Sequence, residues 1–310
     1  MSRTVVKGGV AVLVCWAALL WGAEVAPASA DSALNDTEVP WSSFVLEAKG
    51  ISGTATAEVE LQVAPAAVET ARFIESPKGN PLQASGEQVH RLSIVTTVDV
   101  IGGKRILLEN RLWFDPRTNT PLYLERTRIG LKDYRQWFRF TAEGVFRLQQ
   151  EPASAKEAGG PPESWTRHGN HFYPHPANRS DCPHIIETSQ LISFAGPFAQ
   201  DPNTSGGTLC VFHKRQLHRV RMRPLPTRTI DVDYMETRGG DVLRRKGAVS
   251  VRGVRVTSQP IGSYRGEVEE FFRDGSQLWG SAQERLPLAV SGEVPLIGRV
   301  EMRLKEIRLK

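Results

Sequence analysis

The sequence has little of what catalysis or nucleic-acid binding requires. Aromatic residues make up only 8% of its 310 residues, and there are three cysteines. It contains no G-x-S-x-G elbow, no G-x-G-x-x-G or P-loop glycine pattern, and no H-E-x-x-H zinc helix. Triads of Ser, His and Asp assemble from any chain order, but no local motif supports one here. Nothing in the sequence asks for a cofactor. Few aromatics are interleaved with the basic residues between His213 and Val256, so that stretch lacks the stacking platform that nucleic acid needs. After residue 30 no run is apolar enough to span a bilayer. With 40% hydrophobic and 24% charged residues the composition is that of a globular protein, which excludes disorder and fibrous repeats.

The first thirty residues have the three parts of a secretory signal. Arg3 and Lys7 give a positive start, an apolar run follows from Gly8 to about Gly22, and Ala28-Ser29-Ala30 supplies small residues for cleavage. Cys15 sits within the apolar run without the small residue that a lipoprotein signal places before its cysteine. The expected product begins near Asp31, is exported to the periplasm and keeps no transmembrane segment. It also keeps two cysteines, Cys182 and Cys210, an even pair in an oxidising compartment, which predicts a disulfide.

Beyond Asp31 the dominant period is two. Ala55, Ala57, Val59, Leu61 and Val63 alternate with polar residues; so do Ile230, Val232 and Tyr234, and Val300, Met302 and Leu304. Further strands are expected at 44–48, 92–100, 106–114, 122–127, 134–140, 145–149, 249–256 and 264–273. Turn signals such as Ile101-Gly102-Gly103-Lys104, Asp115-Pro116-Arg117 and Glu143-Gly144 separate several of them. The fold class that follows is all-β: one large curved antiparallel sheet, an open or partly closed barrel, forming a single domain over 31–310. One short helix is expected near Ile185 to Phe198 with Thr188 as its cap, and the Pro/Gly-rich stretch 152–183 reads as a loop-rich insertion.

Four clusters carry candidate chemistry. Trp113, Trp137, Phe138 and Phe140 are placed to line an apolar hollow in a curved sheet, or to fill its core. Between His213 and Val256 twelve Lys and Arg face four Asp and Glu. Within that stretch Arg215, Arg219, Arg221 and Arg223 share one face of an expected strand, a ridge suited to an anionic envelope component. The formal net charge of +5 falls to +4 without the signal, so the remainder of the mature chain is acidic. His168, His171 and His175 offer imidazoles to Zn²⁺ or Cu²⁺, and Cys182 and His184 with Cys210 and His213 offer a mixed site if the cysteines are not bridged.

Three segments carry a family likeness. Phe44-Val45-Leu46-Glu47-Ala48-Lys49-Gly50-Ile51-Ser52-Gly53-Thr54-Ala55-Thr56 resembles the opening hairpin of an uncharacterised family of exported bacterial proteins. Leu112-Trp113-Phe114-Asp115 with Thr120-Pro121-Leu122 is similar to its central strand pair. Leu286-Pro287-Leu288-Ala289-Val290 with Gly298-Arg299-Val300-Glu301-Met302-Arg303-Leu304 is similar to its closing hairpin. The resemblance implies an antiparallel β half-barrel around a helix or plug, like the lipoprotein carriers of the bacterial envelope. It brings no catalytic residues with it, and the 152–183 stretch departs from the pattern. The expected function is therefore non-catalytic: binding or carrying an apolar or lipidated ligand, or an accessory role in the cell envelope. A metal-binding protein or metal-dependent hydrolase on the histidine stretch, and a structural protein pairing through a sheet edge, are the alternatives.

Overall fold

The computed structural model describes residues 39–50, 52–176, 182, 184–193, 208–262, 276–281, 284–294 and 298–310. The expected signal segment and the strand expected at 264–273 lie outside these residues.

The period-two runs become strands. The first arm is β1 (Trp41–Gly50), β2 (Gly53–Pro65), β3 (Gln88–Val100), β4 (Lys104–Phe114), β5 (Pro121–Ile129), β6 (Tyr134–Phe140), β7 (Gly144–Glu151) and β8 (Arg167–Pro174). The second is β9 (Ile185–Glu187), β10 (Thr208–His213), β11 (Gln216–Arg238), β12 (Asp241–Pro260), β13 (Ser276–Ser281), β14 (Pro287–Val294) and β15 (Gly298–Leu309). In β2, Ala55, Ala57, Val59 and Leu61 are buried as their spacing requires, while Val63 is exposed toward the strand end.

The fifteen strands of the described residues form one sheet, in the order β8-β7-β6-β5-β4-β3-β2-β1-β15-β14-β13-β12-β11-β10-β9. The first and last strands pair at its middle, and each arm winds outward as antiparallel neighbours, except that β9 runs parallel to β10. The connection from β8 to β9 forces curvature. Laid flat, fifteen strands would separate these two edges by roughly 65 Å. Residues 175–184 can bridge about 40 Å at most. The sheet must therefore roll, and side chains from its two ends meet. Phe212 on β10 packs against Phe138 and Phe140 on β6 and Tyr173 on β8, with ring centroids 5.6–6.2 Å apart. Arg126 on β5 reaches Glu187 at the end of β9 at 3.3 Å, and the Glu187 carboxylate is wholly buried.

A second closure lies in the other half. β11 bends where Pro226, lacking an N–H, breaks the ladder: Leu225 opposes Gly253 and Arg228 opposes Val251, so two residues face one. Past this bulge β11 meets β15 in parallel, Met235 opposite Glu306 and Thr237 opposite Arg308. Since β11 to β15 are already paired in sequence, this contact closes a ring of strands.

Two expectations are refined. The 152–183 stretch is not loop throughout, because β8 lies within it, hydrogen-bonded to β7 from Glu151–Arg167 to Gly144–Pro174. The helix expected from Ile185 to Phe198 starts later than its spacing implied: Ile185–Glu187 is strand β9, Thr188–Gln190 is a 3₁₀ turn, and α-helical residues follow at 191–193. Its cap is Glu187, not Thr188. The Glu187 side chain accepts from the Ser189 N–H, while Gln190 Oε1 accepts from the Glu187 N–H.

Candidate functional site

Where β11 curves past its bulge toward β15, a cleft of about 270 Å³ opens. Ile230, Val232, Leu288 and Leu304 give it an apolar floor, with Ile230, Leu288 and Leu304 buried. Asp231, Asp233, Lys246, Arg303 and Lys305 form its rim. Strand alternation explains the split: on β11 the even residues turn inward after the bulge and the two aspartates turn out.

Partners of the rim charges decide what they can hold. Arg244 clamps Asp233 with two hydrogen bonds of 2.7 Å. The Asp233 carboxyl is held below its usual value, first by that hydrogen bond and then by the nearby positive charges of Arg244, Lys246 and Lys305. Arg303 is paired with Glu301 at 3.0 Å. Among the described residues, Lys246 and Lys305 have no carboxylate within ion-pair distance. The cleft is thus an apolar slot flanked by two ammonium groups that make no ion pair, with the Asp231 carboxylate on the same rim.

Beside it, Arg228 lies over the Trp279 ring at 3.9 Å and donates to Glu301 at 2.7 Å. Burial tends to raise the Glu301 carboxyl, but the Arg228 hydrogen bond and charge, with Arg303, outweigh it and hold it low. Trp279 lies flat on Gly253, where an added Cβ would come within 2.4 Å of the ring. Glycine is required there by this close approach.

The structure separates the four aromatics expected to line one hollow. Phe138 and Phe140 are buried in the main core, against Phe212. Trp113 belongs to a smaller cluster on the opposite face with Tyr123, beneath α1 (Ala66–Thr70) and Phe73. Its indole N–H donates to the buried Glu69 carboxylate at 2.6 Å. Trp137, next in sequence to Phe138 and so on the other side of the sheet, lines an outer groove. Consecutive strand residues cannot line one surface.

The histidines are not brought together either. His168 and His171 are three apart on β8 and point to opposite faces. His171 lies tilted against Tyr173 with ring centroids 4.5 Å apart, and its imidazole is pushed below its usual value by partial burial and then by Arg147, Arg215 and Lys78. Those cations would repel a metal ion as they repel a proton. His175 follows the strand end, its N–H bonded to Glu143 O. Among the described residues no group of three or more His, Cys, Asp or Glu is placed to hold a metal ion. Cys182 and Cys210 form a disulfide, with Cα atoms 5.5 Å apart, which removes the mixed sulfur/nitrogen site.

The arginine ridge is shifted. Arg215 sits in the Lys214-Arg215 turn between β10 and β11, where Lys214 adopts φ 54°, so it is not on the strand. Arg219 is half-buried, while Arg221 and Arg223 are exposed. Directly opposite Arg223 on β12 stands Arg255, also exposed. Among the described residues, Arg221, Arg223 and Arg255 make no ion pair. Like charges facing across strands are destabilising.

The cleft residues on β14 and β15 were not singled out by sequence reasoning. Their strands are legible, but the parallel contact of β11 with β15 joins segments some seventy residues apart and leaves no local signal. Lys305 could have been found as an exposed cation between apolar strand positions; Lys246, in a fully exposed basic run, could not.

No family model matches the chain, and no curated protein matches it. Among solved structures it is similar to a β-barrel-like protein of a domain of unknown function from Brucella abortus. The match has 7% identity and a TM-score of 0.39, and covers 86% of this chain and 97% of that one.

Proposed function

We propose that the chain is a non-catalytic binding or accessory protein of the bacterial cell envelope, exported to the periplasm, whose ligand is an amphiphile with an acyl chain and an anionic head. The observation that carries this reading is the cleft: an apolar floor of Ile230, Val232, Leu288 and Leu304 beside Lys246 and Lys305, which make no ion pair. Its volume takes part of an acyl chain and lies just under the range for sites that enclose a drug-sized molecule, about 300 Å³ upward. The acyl chain enters the slot and the head meets the two ammonium groups. The Arg221, Arg223 and Arg255 cluster faces a second anionic surface. The Cys182–Cys210 bridge supports an oxidising compartment, as do the signal-like first thirty residues.

A fluorescent fatty acid tests the reading. Saturable binding to the wild type, displaced by unlabelled fatty acid, is the expected result. Lys246→Glu/Lys305→Glu should raise the Kd at least about tenfold, or about 1.4 kcal/mol, and leave binding of an uncharged monoacylglycerol unchanged. No saturable binding, or an unchanged Kd in the double variant, would contradict it.

A further inference from the structure

The outer face of β4, β5 and β6 carries a separate groove of about 200 Å³. Leu107, Glu109 and Arg111 of β4, Glu125, Thr127 and Ile129 of β5, and Arg135, Gln136 and Trp137 of β6 line it, with Pro162 and Glu163 at the rim. Pairing places Arg111 opposite Glu125, and Glu125 opposite Trp137.

The groove is built, not incidental. Its rim is a 3₁₀ turn, Pro162–Ser164, tied to the sheet by an Arg135–Glu163 bridge of 2.8 Å. Behind the rim, buried Trp165 donates its indole N–H to Glu157 O and accepts from Gln150 through its carbonyl. Arg135 also lies over the Trp137 ring at 4.9 Å, which fixes the indole. On the other side Arg111 bridges Glu109 and Glu125, the latter at 3.9 Å.

Every charge in the groove is thereby answered by another. Two guanidiniums share three carboxylates, and burial pushes the Glu125 carboxyl above its usual value, despite Arg111 and Arg135. The carboxylate in excess repels an anion, and the pairing of each charge leaves little to draw a cation. The groove does present planar donors and acceptors in several directions, beside the accessible part of an indole. A ring bearing hydroxyls around its edge and C–H groups on its face satisfies both. The volume falls below that of drug-sized sites, so a single ring fits.

We propose that this groove binds one uncharged sugar ring, free or within a glycan. Trp137 meets the ring's C–H face, and Glu109, Glu125 and Arg111 hydrogen-bond its hydroxyls. The site is independent of the cleft on β11 and β15 and stands or falls separately from it.

Saturation-transfer NMR on the folded chain, with cellotriose, maltotriose and chitotriose at millimolar concentration, tests the proposal. Transfer to ring protons of at least one sugar is expected. Trp137→Ala and Glu125→Gln should each weaken binding at least about tenfold, while Lys246→Glu/Lys305→Glu leaves it unchanged. Because Trp137 also touches the small core cluster, Glu125→Gln is the variant that separates binding from folding. No transfer to any of the three sugars, or transfer that survives Glu125→Gln, would overturn the proposal. Failure of fatty-acid binding alone would count only against the amphiphile reading.

Discussion

At the residue scale, buried charge is placed where the sheet closes. Arg126 is hydrogen-bonded to Asn110 Oδ1 at 2.8 Å and reaches Glu187 at 3.3 Å; Gln190 then donates to Asn119 O at 2.9 Å. Removing one partner of a buried pair leaves the other charge desolvated and costs about 3–5 kcal/mol. Glu187→Ala should therefore lower unfolding free energy by about 3 kcal/mol in a denaturant titration, and an exposed Glu306→Ala should change it by less than about 0.5 kcal/mol. Asp115 gives a pH prediction. Burial works to raise its carboxyl, but hydrogen bonds from Ser85, Arg117 and Thr118 outweigh burial and hold it below the usual value. A depressed carboxyl stabilises fully above the unfolded value near pH 4, and that contribution is lost as the pH falls through the folded value. The stability gap between the wild type and Asp115→Asn should be constant from about pH 5 to 7 and shrink below about pH 4. A gap that persists unchanged to the acid limit would exclude this role.

At the element scale, what was legible depended on whether a strand buries one face. β2, β3, β4 and β15 read clearly because alternate apolar residues point inward. β8 did not, since Arg167-His168-Gly169-Asn170-His171 is exposed and the strand is held by its backbone pairing with β7. The long β11 was legible only in pieces, because the bulge and the exposed residues around it interrupt the alternation between the inward His218, Val220 and Met222 and the inward Ile230 and Tyr234. The bulge supports an element-level prediction. Deleting Thr227 removes the extra residue and would turn Ile230, Tyr234 and Glu236 outward, as any one-residue slip does. The variant should lose cooperative unfolding, whereas Thr227→Ala, which keeps the register, should unfold like the wild type. Close packing makes a parallel case at Gly253: an alanine methyl would strike the Trp279 ring, and overpacking of this kind costs about 1–3 kcal/mol.

At the scale of the whole molecule, the sheet class was readable from period two, but its closure was not. Rolling the sheet follows from the short β8–β9 connection, and the ring follows from β11 meeting β15; both are contacts between distant segments. For the same reason the expected hollow became a filled core at Phe138 and Phe140, and the candidate ligand site moved to a cleft between β11 and β15. Disulfide pairing was legible from number alone. The bridge closes a separation of 28 residues, for which loop-entropy reasoning gives about 3–4 kcal/mol. Cys210→Ser should lower stability by about that amount in a denaturant titration under oxidising conditions, and the wild type under reducing conditions should match it. The charge surplus likewise acquired a place: the β11–β12 hairpin beyond the bulge is balanced, and the surplus lies nearer the sheet, at Arg221, Arg223 and Arg255 among others.

If the β11–β15 cleft holds an acyl amphiphile, native mass spectrometry of protein purified from its own compartment will detect it. A bound species with the mass of an acyl compound is expected, released by fatty-acid competition and absent from Lys246→Glu/Lys305→Glu. A ligand-free spectrum from wild-type protein, together with no saturable uptake of added fatty acid, would contradict it.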